Sequence, residues 1–137
     1  MISIKLYLII PTFLILAISC ENQSNDEITD ILWMLQSIEY ENDDVITIDN
    51  SSSYTVLFDD SSRVEGQADC NTCGGDYEIS NSSISISFDC TKKGCGASSK
   101  GWEYFLAVND ASSYEMVGKE LLIFFDSDKS TLYFKKD

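Results

Sequence analysis

Five cysteines and no histidine set the chemistry open to this chain. Cys20 stands apart, whereas Cys70, Cys73, Cys90 and Cys95 share one stretch. A thiol can be acylated, bind a metal, exchange electrons or pair with another thiol. Without histidine there is no Ser-His-Asp or Cys-His nucleophile and no His-ligated zinc. Carboxylates are plentiful enough for paired-acid catalysis. Yet Asp43-Asp44, Asp59-Asp60 and Asp126-x-Asp128 fall in turn-like sequence, where Asp is favoured for its local backbone bonds. The Asp126–Ser130 stretch lacks the mid-loop Gly and terminal Glu of an EF-hand. Neither a Gly-x-Ser-x-Gly elbow nor a phosphate-cradling Gly loop is present. The residues therefore lead to an expectation of no catalytic site, no metal and no cofactor.

The chain has 137 residues, of which 44% are hydrophobic, enough for one domain with a packed core. Acidic residues number 23 against 9 basic ones, a net charge of −14. A duplex binder needs clustered cations to neutralise phosphates, so no nucleic-acid partner is expected. One region breaks the acidic pattern. Lys92, Lys93 and Lys100 flank Cys95 together with Gly94 and Gly96, forming a basic, cysteine-anchored loop. This loop is the candidate contact surface, for an acidic partner or for lipid headgroups.

Residues 1–19 read as a leader. Lys5 precedes an apolar run from Leu6 to Ile18, interrupted only by Pro11 and Thr12, and small or apolar residues lead to Cys20. The run is shorter than the roughly 20 residues that a span of hydrocarbon needs. Leu16-Ala17-Ile18-Ser19-Cys20 resembles a bacterial lipobox, displaced in that Ala17 holds the place usually taken by Leu. That resemblance implies a diacylglyceryl thioether on Cys20, an acylated (palmitate-type) amino terminus, and anchorage to a membrane of the cell envelope on its periplasmic or surface face. Several acyl chains, each CH₂ contributing about 0.8 kcal/mol, would make the anchorage effectively permanent. Residues 20–29, including the polar Glu21–Glu27 segment, read as the lipidated cysteine and its tether, and 30–137 as the domain.

With Cys20 set aside, four cysteines remain in an exported chain, where disulfides are the default. Four cysteines allow three connectivities. The alternatives are a Cys₄ zinc site and a redox Cys70-Asn71-Thr72-Cys73 motif. The second pair is spaced as C-x₄-C, which departs from a zinc ribbon, and no βαβ setting is visible for a thioredoxin-like centre.

The elements that must hold these residues are mostly strands. Tyr54, Val56 and Phe58 recur with period two, as do Val64, Gly66 and Ala68, then Tyr77 and Ile79, then Ile84, Ile86 and Phe88. Cys70, Cys73 and Cys90 continue these parities and would point to the apolar side if the strands run that far. From Ala97 to Asn109 the period becomes helical, with Ser98 or Ser99 as cap and Trp102, Phe105, Leu106 and Asn109 as the stripe against the sheet. Strands return at Ser113–Val117, Glu120–Phe125 and Thr131–Lys136. At the start, Ile28, Ile31, Leu32 and Leu35 suit a helix, while Trp33, Leu35 and the stretch to Tyr40 suit a strand; periodicity leaves both open.

In order, Trp33-x-Leu35, the Tyr54–Phe58 strand, Arg63-Val64-x-Gly66-x-Ala68-x-Cys70-Asn71, Gly75-x-Tyr77, Thr91-x₃-Cys95, an aromatic helix and two closing strands follow one another. This sequence resembles the META domain of the HslJ heat-shock protein family over roughly residues 30–136. The resemblance implies an α+β, mostly β fold: a small antiparallel, cracked or incomplete barrel with one helix packed across it. It implies a Cys70–Cys95 disulfide, with Cys73–Cys90 as an added bridge nested inside. It also implies a non-catalytic envelope lipoprotein that binds or supports other envelope components, in stress or drug tolerance. The alternative is a small-ligand carrier or an inhibitor built on a small barrel. Within this frame Gly66 reads as a close backbone approach or a bulge, Asn71 as bonding neighbouring backbone at the strand end, and Trp33 and Trp102 as core. Tyr54, Phe58, Tyr77 and Phe88, all large and inward-facing, favour a filled interior over a ligand cavity.

Overall fold

The computed structural model describes residues 27–137; the leader at 1–19 and Cys20 lie outside the described residues. The described chain runs β1 (Leu32–Glu39), β2 (Val45–Thr47), β3 (Tyr54–Phe58), β4 (Arg63–Ala68), β5 (Asn71–Ser80) and β6 (Ser83–Cys90). Then come α1 (Gly101–Asn109), β7 (Ser113–Val117), β8 (Glu120–Phe125) and β9 (Ser130–Lys136). The alternating segments are strands. The ambiguous start is a strand too, since it pairs with β3 on one edge and along its length with β9 on the other.

All named strands pair antiparallel, and the β1–β9 pairing bends the sheet into a ring. The ring is not a regular barrel. Most neighbours share five or more residue pairs, but β6 and β7 meet only at Ser83 and Ser113. Backbone bonds from Ile84 to Ser112 (3.1 Å) and from Tyr114 to Ser82 (2.9 Å) complete that short contact. Beyond it, the edge of β6 from Ile86 onward has no strand partner, and unpaired peptide groups there must find others.

Helix α1 fills the gap. Asn109 acts as a substitute strand: its Oδ1 accepts the Phe88 N–H at 2.9 Å, and its Nδ2 donates to the Phe88 carbonyl at 2.9 Å. Tyr104 enters the ring, fully buried, and donates its hydroxyl to the Thr55 carbonyl at 2.9 Å. Its ring packs edge-on to Tyr54 and Phe88 and against Phe134, with centroids 6.0–6.2 Å apart. Burial pushes the Tyr104 hydroxyl far above the ordinary tyrosine range, so it remains a neutral donor.

The helix lies in a different phase from the expected one. Its buried face is Gly101, Tyr104, Ala107 and Val108, while Trp102 is 68% exposed and Leu106 is also exposed. Trp102 is therefore not a core residue; Trp33 is, with no exposed surface. The helix carries two competing apolar stripes. Only the Gly101/Tyr104/Ala107/Val108 stripe combines small residues, which allow close approach, with a polar group that finds a partner inside. A β-carbon on Gly101 would already stand 3.1 Å from the Ala68 carbonyl oxygen. The helix also begins later than the expected Ala97. Lys100 takes the capping position, and Ser99 contributes only by accepting the Gly101 N–H at 3.2 Å.

Elsewhere the local chemistry explains the turns. Asp69 and Asn81 take left-handed φ values of 59° and 56° in two-residue hairpin turns, a conformation that short polar side chains tolerate. Gly66 is a close approach and not a bulge: a β-carbon there would overlap the Thr55 carbonyl oxygen. The domain also begins earlier than residue 30. Ile28 is fully buried, its carbonyl accepts the Trp33 indole N–H at 3.0 Å, and Thr29 bridges to Phe58.

Replacing Asn109 with Ala should lower unfolding stability by about 1–2 kcal/mol, because it strips both partners from one exposed strand edge. Urea denaturation checks this, and an unchanged midpoint would mean that water serves the Phe88 edge equally well.

Candidate functional site

The end of the ring where β4 turns into β5 holds the cysteines and most of the basic loop. β4 stops at Ala68, so Cys70 sits in the turn and is exposed, not on the apolar side as strand parity implied. Cys73 and Cys90 do lie on paired strands, directly opposite each other, and Cys73 is buried. Two disulfides form: Cys70–Cys95, with Cα atoms 5.6 Å apart, and Cys73–Cys90, with Cα atoms 4.0 Å apart. All four sulfurs are thereby withdrawn from thiolate chemistry.

Asn71 secures the loop that the first disulfide closes. Its Oδ1 accepts the Lys93 N–H at 2.7 Å and the Thr91 hydroxyl at 2.9 Å, and its Nδ2 donates to the Lys93 carbonyl at 3.1 Å. The bonding expected with adjacent backbone is instead made across 22 residues of sequence. At the far end of the loop, the Lys100 N–H donates to the Tyr54 hydroxyl at 3.0 Å. The segment from Thr91 to Lys100 contains no regular element, yet both its ends and its middle are tied to the ring.

Between this loop and the first turns of α1 lies a cleft of about 520 Å³. Ala68 and Asn71 contribute from the hairpin, Lys92 and Lys93 from the loop, and Trp102 and Phe105 from the helix. The Trp102 and Phe105 rings stack, with centroids 5.5 Å apart and planes inclined by 21°. Of the three lysines singled out in the sequence, Lys92 and Lys93 line the cleft, and Lys100 instead caps the helix. Sequence reasoning assigned Trp102 and Phe105 to the core. The pattern that would have placed them at the cleft was present: a short helix that is apolar on two faces has one face to spare.

The carboxylate groups are engaged in turns. Asp59 accepts the Arg63 and Ser61 N–H groups at 2.8 and 2.9 Å, and the Arg63 backbone bond holds its carboxyl below the usual range. Asp128 accepts the hydroxyls of Ser112 and Ser113, which lower its pKa in the same way. Asp44 bonds with the Asn42 side chain. Among the described residues, no group of three or more Cys, Asp or Glu is placed to hold a metal ion.

The META domain model matches residues 26–137. The chain belongs to the META domain family. Several solved structures share its fold. An NMR structure of a protein from Burkholderia xenovorans has a TM-score of 0.64 and 18% identity, covering 82% of this chain and 85% of that one. The crystal structure of a DUF4847 family protein from Bacteroides vulgatus has a TM-score of 0.61 and 14% identity, covering 80% and 94%. At these identities the likeness concerns the fold alone. No curated protein matches the chain by sequence.

Two expectations follow for this META domain. Non-reducing digestion with trypsin and Asp-N should release the peptide that holds both Cys70 and Cys73 joined to one holding Cys90 and another holding Cys95, and fragmentation of this cluster should assign Cys70 to Cys95 and Cys73 to Cys90. Replacing Cys70 and Cys95 together with Ser should cost about 2–4 kcal/mol in thermal or denaturant unfolding. A Cys70–Cys73 linkage in the peptide map would contradict the arrangement.

Proposed function

We propose that this META domain is a lipid-anchored, non-catalytic component of the bacterial cell envelope, exported by residues 1–19 and held through Cys20. It works by contact with other envelope components, in stress or drug tolerance, with Lys92 and Lys93 at its working end. The observation that carries the reading is the pair of disulfides, since such crosslinks persist outside the reducing cytosol.

Geometry adds a second support. Thr29 meets Phe58 at the last residue of β3, whereas the Lys92–Lys93 loop reaches Tyr54 at the first, through Lys100. The chain thus joins the domain at one end of β3, and the cleft lies toward the other. Four residue steps of strand separate the two by about 13 Å. An anchor at Cys20 would leave the basic loop free to face away from the bilayer.

The carrier alternative is disfavoured by the interior. Trp33, Phe58, Tyr104, Phe134 and the aliphatic residues around them fill the ring with fully buried side chains. Among the described residues, every buried side-chain nitrogen and oxygen has a hydrogen-bond partner. An interior of this kind leaves little for an apolar guest to occupy.

Metabolic labelling with an alkyne fatty acid tests the anchor. The wild-type chain should take up label in the envelope fraction, and Cys20→Ala should not. Equal labelling of both, or an unlabelled wild type, would contradict the proposal.

A further inference from the structure

The cleft beside α1 combines three features that its structural duties do not require. The first is charge without a partner. Among the described residues, the ion pairs use Arg63, Lys129 and Lys135, and none joins Lys92 or Lys93 to a carboxylate within 4.0 Å. The second is Trp102, which is 68% exposed and stacks on Phe105, so part of the largest apolar side chain is left in water. Exposed tryptophan beside cationic groups is characteristic of recognition surfaces, where a rigid ring offers contact area at little cost in entropy.

The third feature is rigidity. The wall bearing the lysines is pinned by the Cys70–Cys95 disulfide and by the Asn71 side chain. The opposite wall is a helix locked by Tyr104 and Asn109. Little ordering remains to be done on binding, and this is the condition under which a small contact area becomes a useful affinity.

We propose that this cleft binds a small aromatic anion, its ring laid on Trp102 and its carboxylate, sulfonate or phosphate group held by Lys92 and Lys93. The proposal deepens the contact-surface reading and rests on it in taking this end of the domain as the working end. A soluble ligand is favoured over a lipid headgroup because the cleft lies away from the end where the chain joins the domain. Asp89 also lines the cleft, with one carboxylate oxygen accepting the Cys90 N–H at 3.1 Å. It is the acidic group on this rim and sets an electrostatic limit on how strongly an anion is held.

The two tryptophans make the test direct. The full-length protein, labelled with 5-fluorotryptophan and placed in phosphatidylcholine nanodiscs, should give separate ¹⁹F resonances for Trp33 and Trp102, assigned with Trp102→Phe. Titration with naphthalene-2-sulfonate should shift the Trp102 resonance saturably and leave Trp33 in place. Neutral 2-naphthol and ring-free sulfate should each bind at least about tenfold more weakly. The Lys92→Glu/Lys93→Glu variant should lose about tenfold in affinity with an unchanged denaturation midpoint, and Asp89→Asn should gain about twofold. No saturation in the millimolar range, or an affinity indifferent to the lysine replacements, would overturn the proposal. So would a Trp102 shift on exchanging phosphatidylcholine for phosphatidylglycerol without added ligand, which would make the membrane the occupant. Should the titration fail while a crosslinker at Lys93 captures an envelope protein, the aromatic-anion proposal falls and the contact-surface reading stands.

Discussion

The structure depends on how an antiparallel ring deals with a seam that strands alone do not close. β6 and β7 share a single residue pair, so most of one strand edge would face water or an unfilled gap. Helix α1 resolves this by supplying Asn109 as a surrogate for the missing strand and Tyr104 as the plug behind it. A fully buried phenol is tolerated because its one donor meets the Thr55 carbonyl; left unpaired, a buried polar group would cost about 1–3 kcal/mol. The two side chains fix both the position and the rotation of the helix.

That rotation has consequences at the surface. With Tyr104, Ala107 and Val108 facing inward, Trp102 and Leu106 project outward, and Trp102 lines the cleft opposite the loop from Thr91 to Lys100. The loop cannot drift away, because a disulfide and Asn71 tie its middle and Tyr54 ties its end. Closure of the ring and formation of the cleft are therefore one arrangement described from two sides. Several acidic groups elsewhere serve turns: Asp59 and Asp128 organise backbone or hydroxyl donors near them, and Asp69 itself takes a left-handed turn position.

Much of this was legible from residue pattern, and the failures have specific physical origins. Period-two alternation located β3 to β6, most plainly β6, whose buried and exposed residues alternate along its length. β1 was ambiguous since a bulge between Leu35 and Ser37 shifts its register, so that Trp33, Leu35 and Ile38 are all buried and strict alternation is lost. β2 escaped notice because it is three residues long, lies at an edge and buries none of them fully. Cys70 defied its parity because the strand ended two residues earlier in a turn. The helix was found, yet its rotation was not: both of its stripes are apolar, and what decides between them is the Thr55 carbonyl, nearly fifty residues away. The basic half of the cleft was visible in Lys92 and Lys93. Its aromatic half was hidden by that error of rotation.

Native-state hydrogen exchange on the oxidised protein addresses the seam most directly. If α1 is an integral member of the ring, the Phe88 amide, whose acceptor is Asn109, should exchange only through global unfolding, with the same free energy as amides in the paired centre of β5 and β6. If Phe88 exchanges through a much cheaper local opening while those amides stay protected, the helix is merely a layer resting on a self-sufficient sheet, and closure of the seam by α1 is contradicted.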